Sequence, residues 1–283
     1  MNFIKSPLNY TGGKFKLLPQ ILPLFPDNIG KFIDLFAGGC NVGVNVNAKK
    51  IVCNDHISYL IELFNTLKNN SFEEILSYIE DSIDKFSLSQ TNENGYLNLR
   101  NHYNKTKYSL DLFVLCCYSF NHLIRFNNSH LFNTPFGKNR SQFNERIKSN
   151  LFKFCETIKK KNIEFSNLDF NSFNFLELTS DDFVYCDPPY LITSASYNDG
   201  KRGFRDWTEK EETELLNLLD VLNKNNVKFA LSNVLSHKGK DNDILMKWSN
   251  KYNIHKISSS YACCSYRSVS ADKNSNEVLI TNY

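Results

Sequence analysis

The segment VYCDPPY, residues 184–190, sets a carboxylate, Asp187, between a short apolar run and two consecutive prolines. Proline has no backbone N–H to give to a sheet ladder, so a buried strand entering here must stop at Asp187. Pro188 and Pro189 then stiffen the backbone, and Tyr190 adds an aromatic face. Such rigidity suits a carboxylate and neighbouring carbonyls that must meet a ligand in fixed geometry.

Three other acids stand in comparable places. KFIDLFAGG (31–39) reads as a buried strand running into a glycine turn, with Asp34 near the strand end. KKIVCND (49–55) ends in Asp55 and IEFSNLD (163–169) in Asp169. Small residues in DLFAGGCNVG (34–43) let backbone approach a nucleoside, and Asp55, about twenty residues downstream, is placed to accept from ribose hydroxyls. The motif is not a strict GxGxxG, and a purely structural turn is the alternative. NYTGGK (9–14) is no phosphate loop: Leu8 stands where the first glycine belongs, and Phe15 where Ser or Thr would hold magnesium.

The elements that must position these residues follow from periodicity. After the second strand, ISYLIELFNTLK, FEEILSYIEDSI and NGYLNLRNHYNK repeat apolar residues at helical intervals. LDLFVLCCYSF is apolar all round, as a buried helix is. RFNNSHLFNTPFGKNRS (125–141) breaks the regime with interleaved basic and aromatic residues, and a helix with Phe143, Ile147, Leu151, Phe154 and Ile158 on one face follows. Strands return at 163–169 and 182–187. WTEKEETELLNLL then carries Thr208 and Glu211 at capping-box spacing, and VKFALSN, NIHKISSS and EVLITNY read as closing strands. The class is therefore α/β: an open, mostly parallel sheet interrupted by a helical block of roughly one hundred residues. Ligands bind such sheets beyond the carboxyl ends of the strands, where Asp34, Asp55, Asp169 and Asp187 fall.

Composition bounds the answer less sharply. The 283 residues are 41% hydrophobic and 22% charged with net charge +3, which disfavours disorder and fibres but not any soluble class. The N-terminus lacks an apolar signal region and no apolar run is long enough to span a bilayer, so a cytoplasmic protein without membrane contact is expected. The eight cysteines occur singly or as adjacent pairs, not as CxxC, and read as reduced structural thiols; no metal site is expected.

NYTGGK, DLFAGG, an acid-ended strand, a helical block containing FNTPFG, and DPPY occur in this order along nearly the whole chain. The set resembles the adenine-specific DNA methyltransferases of the Dam and EcoRV-methylase type, the alpha-ordered amino-methyltransferases. The resemblance implies a Rossmann-like sheet dependent on S-adenosylmethionine, formed by residues 1–59 and 163–283. Residues 60–162 would be a mostly helical target-recognition insertion with a DNA-reading hairpin. It implies methyl transfer to the N6 amino group of an adenine rotated out of double-stranded DNA, by a monomer; whether a cognate restriction endonuclease is its partner in the same system is left open by the sequence.

Carried over by position, the resemblance gives Tyr10 and Lys14 to the closing of the cofactor pocket, and Asp34, Ala37 and Gly38 to its lining. Asp55 would bind the ribose, and Asp169 with Phe170 would meet the cofactor adenine; a helix N-cap is the other reading of Asp169. The Asp187 carboxylate and the Pro188 carbonyl would accept the two N–H bonds of the target amine, with Pro189 fixing the backbone and Tyr190 stacking on the base. In YSFNHLIRFN (118–127), Arg125 stands where relatives read guanine and Leu123 lies in the same reading segment. Phe120 and Asn121 would enter the duplex; Phe120 taken alone reads rather as a core aromatic, and the motif context reverses that. Asn133, Pro135 and Gly137 would shape the hairpin, and Lys138 and Arg140 would contact phosphates. Tyr197 is a second stacking candidate in a covering loop; Arg267 and Lys273 are phosphate contacts or plain solvated charges.

The sequence departs from the Dam pattern at Tyr10 (commonly Trp), Cys40 (commonly glycine-like), Cys117 (arginine in Dam) and His122 (glycine). These leave the recognition sequence open. Amino-cytosine methylation usually carries Ser at the position of Asp187. Methylation of a protein glutamine usually carries Asn there and lacks FNTPFG. A catalytically dead DNA-binding regulator is disfavoured by the intact Asp187–Tyr190 segment.

Overall fold

The computed structural model describes residues 2–193, 207–258 and 275–283, so Tyr197, Arg267 and Lys273 lie outside the described residues. Eight strands form one sheet: β1 (Lys31–Asp34), β2 (Lys50–Asn54), β3 (Ile163–Ser166), β4 (Phe183–Cys186), β5 (Lys228–His237), β6 (Lys240–Asp241), β7 (Asn253–Lys256) and β8 (Ser275–Thr281). Their order is β3-β2-β1-β4-β5-β8-β7, with β6 a short hairpin partner of β5. The first five in this order are mutually parallel, while β8 runs antiparallel to both β5 and β7. The expected mostly parallel α/β sheet is found, with the antiparallel edge and the β6 hairpin as additions.

Alternation along the strands builds a core on each face. Phe32, Ile51, Cys53, Phe183, Tyr185, Ala230 and Leu279 join one cluster. Their strand neighbours Ile33, Val52, Val184, Cys186, Phe229, Leu231, Val278 and Ile280 join the other. The second face is covered by α7 (Glu209–Lys224) and α8 (Asp243–Ser249). The expected capping box starts α7: Thr208 Oγ1 accepts from the Lys210 N–H at 3.2 Å, and the Glu211 carboxylate accepts from the Thr208 N–H at 3.0 Å.

On the first face lies the short α1 (Leu18–Ile21), then the helices between β2 and β3: α2 (Ser58–Asn69), α3 (Phe72–Lys85), α4 (Glu93–Thr106), α5 (Ser109–Tyr118) and α6 (Glu145–Lys160). Phe64 of α2 stacks on Phe165 of β3 with centroids 5.3 Å apart, so this block shares its core with the sheet. Every residue of α5 is buried, including Asp111, whose Oδ1 accepts from Tyr78 Oη at 2.9 Å.

Residues 119–141 form an irregular hairpin with bridges Ser119 to Phe136 and Phe126 to Phe132. Helix α4 braces it, Tyr96 Oη donating to Thr134 O at 2.7 Å and Asn104 Oδ1 accepting from the Phe132 N–H at 2.7 Å. Gly137 is obligatory in the last turn, because a Cβ there would lie 2.2 Å from Ser141 Oγ and 2.7 Å from Ser119 O.

Candidate active site

The chain runs from β1 outward to β2 and β3, then returns to β4 on the other side of β1. This reversal leaves a crevice beyond the carboxyl ends of β1 and β4, the general place for a ligand in such sheets. A cleft of about 610 Å³ occupies it, lined among others by Tyr10, Lys14, Asp34, Ala37, Gly38, Asp55, His56, Asp187 and Pro189. Eight positions singled out in the sequence, from segments scattered over the chain, therefore meet at one opening.

The glycine turn is shaped by close approach. Gly38 has φ +47°, and a Cβ there would lie 2.8 Å from the Tyr10 ring. Its N–H donates to Asp55 Oδ2 at 2.8 Å, while Asp55 Oδ1 accepts from the Ile57 N–H at 3.0 Å. Burial pushes the Asp55 carboxyl upward, opposed by His56 and by these N–H groups. Cys40 also has a positive φ, +59°. Its Sγ lies 3.2 Å from Cys53 Sγ. The six described cysteines are buried free thiols.

Asp34 is fully buried. Its Oδ2 accepts from the Gly43 N–H at 3.0 Å, and its Oδ1 has no hydrogen-bond partner. Burial pushes its pKa up to about 8, opposed by the Gly43 N–H and raised further by Asp187 and Asp55. A carboxyl raised this far above its ordinary value of 3.8 stabilises the fold below that value and loses this contribution as pH climbs to about 8. Melting temperatures of wild type and Asp34→Asn should therefore diverge between pH 5 and pH 8, wild type falling relative to the variant. Parallel curves would remove Asp34 as the cause.

Asp187 leaves the end of β4 and meets a cation. Lys14 Nζ lies 2.9 Å from Asp187 Oδ1, and its side chain is 5% exposed. Tyr190 Oη donates to the same oxygen at 3.1 Å, and the Lys14 ammonium sits 5.1 Å from the centroid of the Tyr190 ring. Burial pushes the Asp187 carboxyl upward; Lys14 and Tyr190 oppose this, whereas a second acid, Glu277, adds to it. Glu277 escaped the sequence reading. It is the third residue of β8, is 2% exposed, and its Oε1 lies 3.3 Å from Tyr190 Oη and 3.9 Å from Lys14 Nζ. The only signal was an acid at the head of the apolar run EVLI, weak because strand ends are often charged.

Other positions fall elsewhere. Asp169 does not line the cleft; its Oδ1 accepts from the Asn171 N–H at 3.0 Å and caps a short 3-10 turn, which is the alternative reading of that residue. Phe170 is buried behind the cleft against Phe36 and Trp207, centroids 5.5 and 5.6 Å away. Phe36 itself lines the cleft and was not singled out.

Phe120 is 38% exposed, so it is not a core aromatic. It stacks beneath the Arg140 guanidinium at 4.9 Å. Asn121 and His122 both have positive φ, 54° and 57°, making a tight turn at the tip. Asn9 Nδ2 donates to Asn121 O at 2.9 Å, and Asn9 immediately precedes Tyr10, so this turn stands beside the cleft. Arg125 is tied within the hairpin: Nε donates to Asn133 Oδ1 at 2.9 Å and Nη2 to Asn133 O at 2.8 Å. Thr134 Oγ1 donates to Leu123 O, and the Phe120 N–H to Pro135 O, while Lys138 and Arg140 are exposed.

Comparison with known proteins agrees with this constellation. A family profile described as D12 class N6 adenine-specific DNA methyltransferase matches residues 10–263. The type II methyltransferase M.FokI of Planomicrobium okeanokoites is 54% identical over 282 residues, covering 100% of this chain but 43% of that protein. The modification methylase StsI of Streptococcus sanguinis is 50% identical, covering 99% of this chain and again 43% of the relative. The chain thus spans less than half the length of these two relatives. The DNA adenine methylase of Escherichia coli K12 is 24% identical over 262 residues, covering 88% of this chain and 86% of that protein. With the profile covering most of the chain and the DPPY acid at the mouth of the cleft, the chain belongs to the D12 class of N6 adenine-specific DNA methyltransferases.

Proposed function

We propose that the protein transfers a methyl group from S-adenosylmethionine to the N6 amino group of an adenine rotated out of double-stranded DNA. The observation that supports this most directly is the convergence on one cleft of Asp187, Asp34 and Asp55, with the exposed Phe120 turn bonded beside it.

The residues present fit such a donor. Asp34, with a buried oxygen lacking any hydrogen-bond partner, suits a cationic amine, and Asp55 suits ribose hydroxyls. Gly38 and Ala37 leave backbone exposed to a nucleoside, and Tyr10 flanks it. When bound, S-adenosylmethionine supplies an electrophilic methyl on a sulfonium.

The amino nitrogen of adenine is a poor nucleophile, because its lone pair is delocalised into the ring. Asp187 and the Pro188 carbonyl accept its two N–H bonds and favour a more tetrahedral nitrogen whose lone pair is available for attack. Their fixed geometry lowers the barrier through orientation and preorganised charge. Tyr190 stacks on the extruded base, and Phe120 with Asn121 fills the space it leaves. Residues 60–162 act as the recognition insertion, Arg125 with Leu123 reading base edges, Asn133 and Pro135 shaping the hairpin, and Lys138 and Arg140 holding phosphates. Relatives of this chain are named modification methylases; a cognate restriction endonuclease in the same system is the partner this reading offers. No helix among the described residues is long and apolar enough to cross a membrane.

The test is methyl transfer from labelled S-adenosylmethionine to duplex DNA, with modified-base detection. Label on adenine N6 is expected, together with tighter binding when the target adenine is mismatched, since less pairing must be broken. Label on cytosine, on protein, or nowhere overturns the reading.

A further inference from the structure

Glu277 is a buried acid in a place that apolar packing does not explain. It sits on the same sheet face as Leu279, two residues on, while Val278 and Ile280 serve the opposite core. A buried carboxylate is costly unless paired. Here the pairing is with the two groups that also serve Asp187. Lys14 Nζ lies 2.9 Å from Asp187 and 3.9 Å from Glu277. Tyr190 Oη lies 3.1 Å from Asp187 and 3.3 Å from Glu277. A phenol has one hydrogen to give, so it bonds one carboxylate at a time.

The backbone is adapted to this placement. Val234 of β5 pairs with Glu277, and the register between the strands slips immediately afterwards, the next pair being Ser236 with Asn276. Such bulges re-aim side chains and gather beside active sites.

The geometry points to Glu277 as a positioning residue for methyl transfer: it takes up Lys14 and the Tyr190 hydroxyl when Asp187 turns to the target amine. This rests on the reading of Asp187 as the acceptor of that amine. As it stands, one Asp187 oxygen accepts from both Lys14 and Tyr190, which weakens it as an acceptor for a third donor. A second carboxylate within reach lets those donors move without leaving a buried ammonium unpaired. The charged and titratable groups facing Asp187 are Lys14, Tyr190, Glu277, Asp34 and Tyr185. Among them Glu277 adds negative charge that holds the Asp187 proton more tightly.

The experiment measures single-turnover methyl transfer across pH for Glu277→Gln, beside calorimetric affinity for S-adenosylmethionine, with Asp187→Asn in parallel. Glu277→Gln keeps shape and an acceptor but loses the charge. Its rate should fall about tenfold with cofactor affinity unchanged, and its acid limb should move to lower pH. A merely structural role would leave that limb in place. If Glu277→Gln does not fold, Glu277→Asp carries the test: charge retained, reach shortened, rate reduced while cofactor affinity and melting temperature stay at wild type, where a merely structural role would lower the melting temperature with the rate. Wild-type rate and limb in Glu277→Gln, or a wild-type rate in Glu277→Asp, overturn the inference while a dead Asp187→Asn keeps the reading of Asp187. An active Asp187→Asn overturns both.

Discussion

Asp187→Ala should abolish measurable methyl transfer while leaving affinity for S-adenosylmethionine within a small factor of wild type. The carboxylate accepts from Lys14 and Tyr190 and lines the cleft; the proposed function makes it an acceptor for the target amine rather than a wall of the donor site. Removing one preorganised partner of the reacting group typically costs about 10²–10³ in rate, or roughly 2.7–4 kcal/mol. Here the loss should reach the upper end. The truncation also leaves Lys14 buried, with Glu277 as its nearest remaining carboxylate at 3.9 Å. A misplaced ammonium in the space vacated for the amine would compound the loss. Single-turnover rates beside calorimetric titration make the comparison. A rate within tenfold of wild type would sink the assignment, and parallel loss of cofactor affinity would move Asp187 into the donor site. Asp55→Ala should behave in the opposite way. Its two oxygens hold Gly38 and Ile57 in place, so donor affinity falls before the chemistry does.

How much of this was legible in the residues differs between the sheet and the site. The central strands could be read because buried strands are short apolar runs ended by Gly, Pro or an acid, and α5 because apolar residues fill its run from Leu112 to Cys117. The β6 hairpin and the bulge opposite Glu277 could not. Both depend on strand register, which is set by partners distant in sequence. Within the site, Asp34, Gly38, Asp55 and Asp187 stand at strand ends or a glycine turn that the residues announce, Tyr10 and Lys14 are placed only by the family resemblance, and all six line the cleft. Glu277 carries no such signature, because its meaning comes from β8 pairing with β5 beside β4. Both readings of Asp169 were open in the sequence, since an acid before a short turn caps it, as Asp169 does, whether or not a ligand stands nearby. The reverse holds for Phe120. Composition favours a core aromatic, whereas the tight turn of Asn121 and His122 leaves it exposed.

Arg125→Ala should cost about 1–3 kcal/mol at one base pair of the recognition site, roughly 5- to 150-fold in discrimination, and little at the others. The guanidinium has five N–H donors in a planar fork. Asn133 engages two of them, one through its side chain and one through its backbone carbonyl. Three donors remain, enough for a bidentate contact with guanine O6 and N7, and the fork is already immobilised before DNA arrives. Pre-ordering matters because a loose arginine would lose side-chain freedom on binding, whereas here the hairpin and α4 have fixed it. Arg125→Lys should recover little, since a lysine ammonium cannot reproduce a planar fork. Lys138 and Arg140 provide the contrast. Both are exposed, and Arg140 rests on the ring of Phe120. As phosphate contacts they should weaken binding to every sequence alike, and each loss should lower the salt dependence by about one unit of slope. Competition binding across all single-base variants of the site, repeated at two salt concentrations, separates the behaviours. A uniform loss for Arg125→Ala, with its salt slope reduced, would make it a backbone contact and leave the reading of bases to other residues of the hairpin.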